Sequence, residues 1–303
     1  MAELDDLRGA VRDLLATHAP VRSAMADDPS VWKRLAVEMG LAALPVEDVP
    51  LSWVAAVVEE TGRVLLRAPY LSTAVAAAAL KTAGDETHLA ALAEGSLTAA
   101  LALDSDLSQV ADAPGAGLLL LADGEDLRLV TDFAVDPVEV VDLTRSYGRV
   151  TVNDPGRVVG SVGHVRDLHW AALAAESVGG ARAVLELAVE HLKVRQQFGR
   201  PLGSFQALRH RVADLTVLVE AAASTAWWAA ADAANLPVGA PLAKAAADDA
   251  FTTVTGECIQ LFGGIGFTWE HDAHLYFKRA WTTALRHGDA RALRRLAFER
   301  SGQ

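Results

Sequence analysis

The chain has 303 residues, 51% hydrophobic and 6% aromatic, which is enough for more than one core. Its 27 basic and 39 acidic side chains leave a net charge of −12, the wrong sign for a protein that neutralises nucleic-acid phosphates. A single cysteine, Cys258, excludes an internal disulfide and a cysteine-rich zinc site.

The first 97 residues read as helical. Leu4, Leu7, Val11 and Leu14 recur at three- and four-residue steps and mark one helix face. Asp28-Pro29-Ser30 opens a second helix over 31–39, with Ser30 as its N-cap and Gly40 at its end. Two more helices, at 52–66 and 72–83, are rich in Ala, Val and Leu. The acidic, amphipathic start is unlike a signal peptide, and the most apolar runs, 74–80 and 117–122, are shorter than a membrane span. A soluble protein of the cytoplasm, without membrane or nucleic-acid partners, is expected.

The texture changes near Gly95. Short β-prone runs at 98–103, 117–122, 127–131, 138–143, 149–152 and 157–162 are separated by Asp/Asn/Pro/Gly turns. They predict a small antiparallel sheet or barrel over 98–163, with Asp123-Gly124 turning a hairpin. From 164 onward the chain is helical again, so the division is 1–97, 98–163 and 164–303. Residues 1–163 hold 12 basic and 25 acidic side chains; residues 164–303 hold 15 and 14, so the excess acid lies in the first part.

A proline-free helix is predicted over 171–195, broken by Gly199, Pro201 and Gly203. Ser204 caps the next, where Phe205, Leu208, Val212, Leu215, Val219, Ala222 and Ala226 step 3-4-3-4 as a bundle seam. Leu236-Pro237-Val238-Gly239 reads as a turn, 241–262 as a third helix ended by Gly263-Gly264, and 273–284 and 290–300 as two shorter ones.

Three segments carry candidate chemistry. In 195–206 an Arg and a Phe close one helix and a glycine turn opens another; such a corner offers a guanidinium and free N–H groups to phosphates. In 256–267 three glycines in four positions let a ligand approach the backbone. Arg286, Arg291, Arg294, Arg295 and Arg300 form a basic cluster that reads as a solvated helix face. Taken alone, the first reads as a helix–turn–helix corner and the second as a glycine-rich helix C-cap. His271 and His274 read as surface residues, and no metal site is expected.

Together, on a helical bundle, the first two segments resemble the C-terminal domain of the acyl-CoA dehydrogenase family. The resemblance runs through Ala174-Ala175-Glu176, Gly179, 195–206, Ala213-Asp214, 260–267 and Lys278-Arg279-Ala280, and more weakly through Trp32, Met39-Gly40-Leu41 and 58–63. It implies a mainly α protein with a small β domain: an N-terminal helical domain, a middle antiparallel β domain and a C-terminal four-helix bundle. It also implies FAD, whose adenosine-diphosphate half lies against the bundle of a neighbouring subunit. The matching residues are Arg195, Phe198, Gln206, Gln260, Gly263 and Gly264.

The resemblance is incomplete. The family reaction needs a carboxylate base near the substrate carbonyl. The two positions where family members carry that glutamate fall here on His287 and His169. Residues 98–163 also lack the glycine–serine and Trp/Ile-Thr segments that line the flavin ring and the thioester. The chain thus resembles the shortened partner subunit of a heteromeric, α2β2-type acyl-CoA dehydrogenase. Such a subunit lends the diphosphate side of FAD to a full-length homologue, which binds the steroid or fatty acyl-CoA. The alternatives are a self-sufficient enzyme of this fold using His287 or another base, and a non-enzymatic helical scaffold.

Overall fold

The computed structural model describes residues 2–26 and 28–302. Helix α1 (Ala2–His18) buries Val11 and Leu15 and points Arg8 and Arg12 towards α3 (Leu51–Arg63). Helix α2 (Pro29–Trp32) runs into a π-helical turn over Lys33–Glu38. Its cap is Asp28, not Ser30: the Asp28 carboxylate accepts the Ser30 amide at 2.9 Å, and Pro29 occupies the first turn, where no N–H is missed. Helices α4 (Tyr70–Ala83) and α5 (Glu86–Ala93) follow. The eight-residue α5 was not expected; Asp85 caps it through the His88 amide at 3.2 Å.

The middle segment forms two sheets. One has the order β1 (Ala99–Ala102), β3 (Leu118–Asp123), β4 (Asp126–Val130), β7 (Arg157–Ser161); the other has β2 (Val110–Ala111), β6 (Tyr147–Val152), β5 (Phe133–Pro137). The Asp123-Gly124 hairpin forms as expected. Every pairing in these sheets is antiparallel except β1–β3, which is parallel because the chain crosses to the second sheet through β2 before returning. The expected strand at 138–143 does not form. Strand β5 ends at Pro137, and Asp142 turns inward, accepting the Thr144 amide at 2.9 Å and its hydroxyl at 2.6 Å.

Helix α6 (Val162–Val194) begins nine residues before the expected start, capped by Ser161, and its 33 residues span about 50 Å. It is the axis of the molecule, packed against α3, α7 (Gln206–Ala231) and α8 (Leu236–Phe262). Contact with α3 is backbone to backbone. A Cβ at Gly179 would lie 1.9 Å from the Glu59 carbonyl oxygen, and one at Gly62 would lie 2.0 Å from that of Glu176.

Phe205, not Ser204, sits at the cap of α7, while the Ser204 hydroxyl donates to the Pro201 carbonyl at 2.7 Å. The expected turn at 236–239 is helical: Pro237 lies in the first turn of α8, where its missing N–H costs nothing. Pro241 deprives the Pro237 carbonyl of its helical donor, and Arg300 from α10 (Ala290–Ser301) supplies one at 2.7 Å. Helix α9 (Ala273–Ala284) completes the bundle. The fold is therefore mainly α with a small β region between two helical parts. Among the described residues no helix is long and apolar enough to cross a membrane.

Candidate functional site

Helices α6, α7 and α8 alternate in direction, so the end of α6, the start of α7 and the end of α8 share one end of the bundle. The His191 ring of α6 packs edge-on to Phe262 of α8, with centroids 5.3 Å apart. Six sequence-selected residues lie at this end: Arg195, Phe198 and Gln206 around one corner, Gln260, Gly263 and Gly264 around the other.

The first corner is a two-stranded ribbon, β8 (Gln196–Gln197) and β9 (Arg200–Pro201). Phe198 and Gly199 turn it with φ of +52° and +74°, the left-handed pair a tight hairpin requires. A bulky residue resists that region, yet Phe198 holds it while 90% exposed. Its ring meets Phe205 edge-on, with centroids 6.2 Å apart, and the Arg200 guanidinium covers the Phe205 ring at 4.0 Å. Arg195 is exposed at the α6 C-cap, and its guanidinium enters no ion pair among the described residues. The Gln206 amide lies 3.1 Å from the His210 ring nitrogen.

At the second corner, Gly263 ends α8 with φ +66° and ψ −143°, a conformation side chains oppose. A Cβ on Gly263 or Gly264 would meet nothing within 4 Å, so this backbone is open to a ligand. Phe267 and Trp269 stand exposed beyond it. The Arg195 guanidinium, the exposed Gln260 side chain at the end of α8 and the open glycine backbone fit a diphosphate, and exposed aromatic rings fit a nucleobase.

His169 and His287 are more than a hundred residues apart, yet their rings meet edge-on with centroids 4.7 Å apart. His287, at φ +64°, is tied by Nδ1 to Asp104 at 2.8 Å, while its carbonyl accepts the Trp170 indole at 2.9 Å. The hydrogen bond to His287 holds the Asp104 carboxyl below its ordinary range against the cost of partial burial. His169 is buried with both ring nitrogens unpartnered among the described residues, and burial, then the nearby cations, hold it neutral far below the ordinary histidine range.

The outer side of His287 borders a cleft of about 950 Å³ with Asp104, Gln109, Val141 and Arg286, while the cavity shared by the two rings is about 30 Å³, room for one water. A buried charge network not foreseen from the sequence occupies the space beside it. Arg279, 1% exposed, donates to Asp142 at 2.8 Å, to the Thr144 carbonyl at 2.8 Å and hydroxyl at 2.9 Å, and to Glu176 at 3.3 Å. Arg145 donates to the same Glu176, and the Ser72 hydroxyl to Asp112. Burial would lift the Asp142 carboxyl, but Arg279 and the Thr144 hydrogen bonds outweigh it and hold it below its ordinary range.

The C-terminal arginines are not simply a solvated face. Arg286 donates to the Gln109 carbonyl at 2.6 Å, Arg294 pairs with Asp249 at 2.5 Å, and Arg300 bonds Asp167 at 2.8 Å; Arg291 and Arg295 stay exposed. His271 packs at a tilt against Phe262, with centroids 4.0 Å apart, and His274 packs edge-on against Trp269 at 4.6 Å. Among the described residues no three His, Cys, Asp or Glu side chains are grouped to hold a metal.

Residues 168–301 match the family described as acyl-CoA dehydrogenase, C-terminal domain. The chain is 41% identical, over 97% of its length and 96% of the relative's, to acyl-CoA dehydrogenase IpdE2 of Mycobacterium tuberculosis (strain ATCC 25618 / H37Rv). Among solved structures it superposes on the Tcur3481-Tcur3483 steroid ACAD G363A variant with a TM-score of 0.87 at 27% identity, covering 100% of this chain and 99% of that one. It shares the fold of the ChsE4-ChsE5 complex from Mycobacterium tuberculosis at a TM-score of 0.90 and 24% identity, covering 100% and 98% of the two chains. FAD is the cofactor this kinship indicates. On its fold and on near end-to-end similarity to such relatives, the chain belongs to the acyl-CoA dehydrogenase family.

Proposed function

We propose that this chain is the partner subunit of a heteromeric FAD-dependent acyl-CoA dehydrogenase, lending the diphosphate and adenine side of the flavin site to a complete homologue. One contrast carries the reading. The bundle end is open, with exposed glycine backbone and an Arg195 unpaired among the described residues, whereas the two positions that match the family's base hold His169 and His287 with only about 30 Å³ between them.

When bound, FAD accepts the hydride that leaves the β-carbon of an acyl-CoA thioester. This chain's own part is binding. Arg195 neutralises the pyrophosphate, Gln260 and the Gly263 and Gly264 amides donate to it, Gln206 adds a polar side chain, and Phe198 covers the adenylate half. An aromatic held at positive φ in solvent brings its own chain little; its use lies in a surface that arrives later.

The partner then supplies the base, the flavin-ring pocket and the acyl-CoA site, in an α2β2 assembly divided in this chain at 97/98 and 163/164. The names of two solved neighbours, one a steroid ACAD and the other a two-component complex, support a steroid-derived acyl group and a heteromer. The buried, free Cys258 suits the reducing cytoplasm. Purifying each chain alone and co-purifying both tests the proposal. Acyl-CoA oxidation should arise only from the co-purified pair; full activity of this chain alone would refute it.

The Asp104–His287 pair favours one second reading, in which this chain has its own histidine base. The narrow space towards His169 weighs against it, the wide cleft on the outer side of His287 weighs for it, and the effect of replacing His287 on turnover separates the two.

A further inference from the structure

A mainly apolar recess of about 450 Å³ lies at the other end of the bundle, between α3, α4, α6 and the 44–50 segment, with the α7–α8 corner on its remaining side. It shares two helices with the histidine pair but uses different faces of them: Ala74, Val75 and Ala78 of α4 rather than Leu71 and Ser72, and Leu168, Ala171 and Ala172 of α6 rather than His169 and Leu173. Ala172 is 22 residues from the end of α6, about 35 Å from Arg195 by helix rise.

The sequence makes this space. Elsewhere in the bundle alanines let helices close on one another, as where Ala222, Ala226 and Ala229 meet Ala243 and Ala247. Around the recess, Ala55, Ala74, Ala78, Ala171, Ala172 and Ala230 alternate with Leu44, Leu51, Leu168 and Leu236 to form an apolar wall. The recess is partly open to solvent, so it is a surface pocket and not a packing void. Its volume and its apolar wall, with few polar groups, match a small-molecule pocket.

The polar groups stand at the mouth. Lys81 and His164 supply two basic side chains, Glu47 and Asp232 two acidic ones. Lys81 Nζ is held by the Glu47 carbonyl at 2.8 Å, and the Asp232 carboxylate accepts the Ala234 amide at 2.9 Å. With histidine counted neutral, the rim carries one cation against two anions and is partly self-satisfied, so it offers hydrogen bonds and disfavours an anion.

We propose that this recess binds one uncharged lipophilic molecule, its hydrocarbon body among the alanines of α3, α4 and α6 and a hydroxyl or carbonyl end at the Lys81–Asp232 rim. The site is separate from the flavin end of the bundle and does not rest on the flavin reading.

The test is a titration of the full-length chain with Nile red, a neutral polarity-sensitive dye, followed by displacement with decan-1-ol and with decanoate. Saturable one-to-one binding is expected, displaced by the alcohol at least tenfold more readily than by the carboxylate. Ala78→Phe, at a half-buried wall position, should weaken dye binding at least tenfold with the thermal midpoint kept or raised; Ala172→Leu should do the same from the opposite wall. Non-saturable fluorescence, or unchanged affinity in a folded Ala78→Phe chain, would overturn the proposal. Preferential displacement by decanoate would overturn the neutral-ligand assignment.

Discussion

Replacing Arg279 with Leu should be the most damaging single change to the joint between the β layers and the bundle. The guanidinium is 1% exposed and makes four bonds of 3.3 Å or less to Asp142, Glu176 and Thr144. Glu176 keeps Arg145, but Asp142, whose side chain is fully buried, keeps only the Thr144 amide and hydroxyl. Breaking a buried pair from one side costs about 3–5 kcal/mol, a large part of a typical stability of about 5–15 kcal/mol. With a urea m-value of about 3 kcal/mol/M for a chain of this size, the midpoint falls by about 1–1.7 M. Urea unfolding followed by circular dichroism reads the shift. Asp142→Asn in the Arg279→Leu background should recover part of the loss, because the orphan is then neutral. The pH dependence is a second signature. Asp142 is held below its unfolded value, so its contribution is present at neutral pH and fades as pH falls through its folded pKa. The gap between native and Arg279→Leu chains should therefore be full at pH 7 and narrow below about pH 4. A loss under about 1 kcal/mol, or a gap that widens in acid, would refute this account of the joint.

Arg195→Ala should leave the chain folded but weaken FAD retention by the assembled complex by about tenfold or more, the worth of one charge-assisted bond to a phosphate; flavin occupancy on dilution checks it. Gly179→Ala should destabilise by several kcal/mol, about as much as a core overpacking defect, because a Cβ 1.9 Å from the Glu59 carbonyl forces α3 and α6 apart; thermal denaturation would show it, and a change under 1 °C would contradict it. His287→Ala should leave acyl-CoA oxidation by the complex nearly intact. A fall of about 10²–10⁴ in kcat with folding and flavin kept would instead make His287 a base.

Element order was largely legible because hydrophobic periodicity, caps and turn residues are local signals. The misses share a physical cause. Helix α8 starts earlier than its prolines suggested because Arg300, far along the chain, satisfies the carbonyl that Pro241 leaves free. The 138–143 segment has the composition of a strand, but Asp142 is drawn inward by Arg279. The parallel β1–β3 pairing depends on how the chain crosses between sheets, which no local pattern records.

The site divides in the same way. Arg195, Phe198 and the 263–264 glycines stood out because each sits on a short, unusual stretch of sequence. The approach of His169 to His287, the pairing with Asp104 and the Arg145–Glu176–Arg279 cluster join residues distant in sequence. One signal was available: Glu176 and Arg279 are charged residues within otherwise apolar helical faces, positions that need partners.

The central claim is that two unlike chains build one flavin site between them, and flavin counting tests it most directly. The co-purified complex, with FAD measured by absorbance against protein mass, should hold one FAD per pair of unlike chains. Two FAD per pair would mean that this chain completes a site of its own, and would contradict the account.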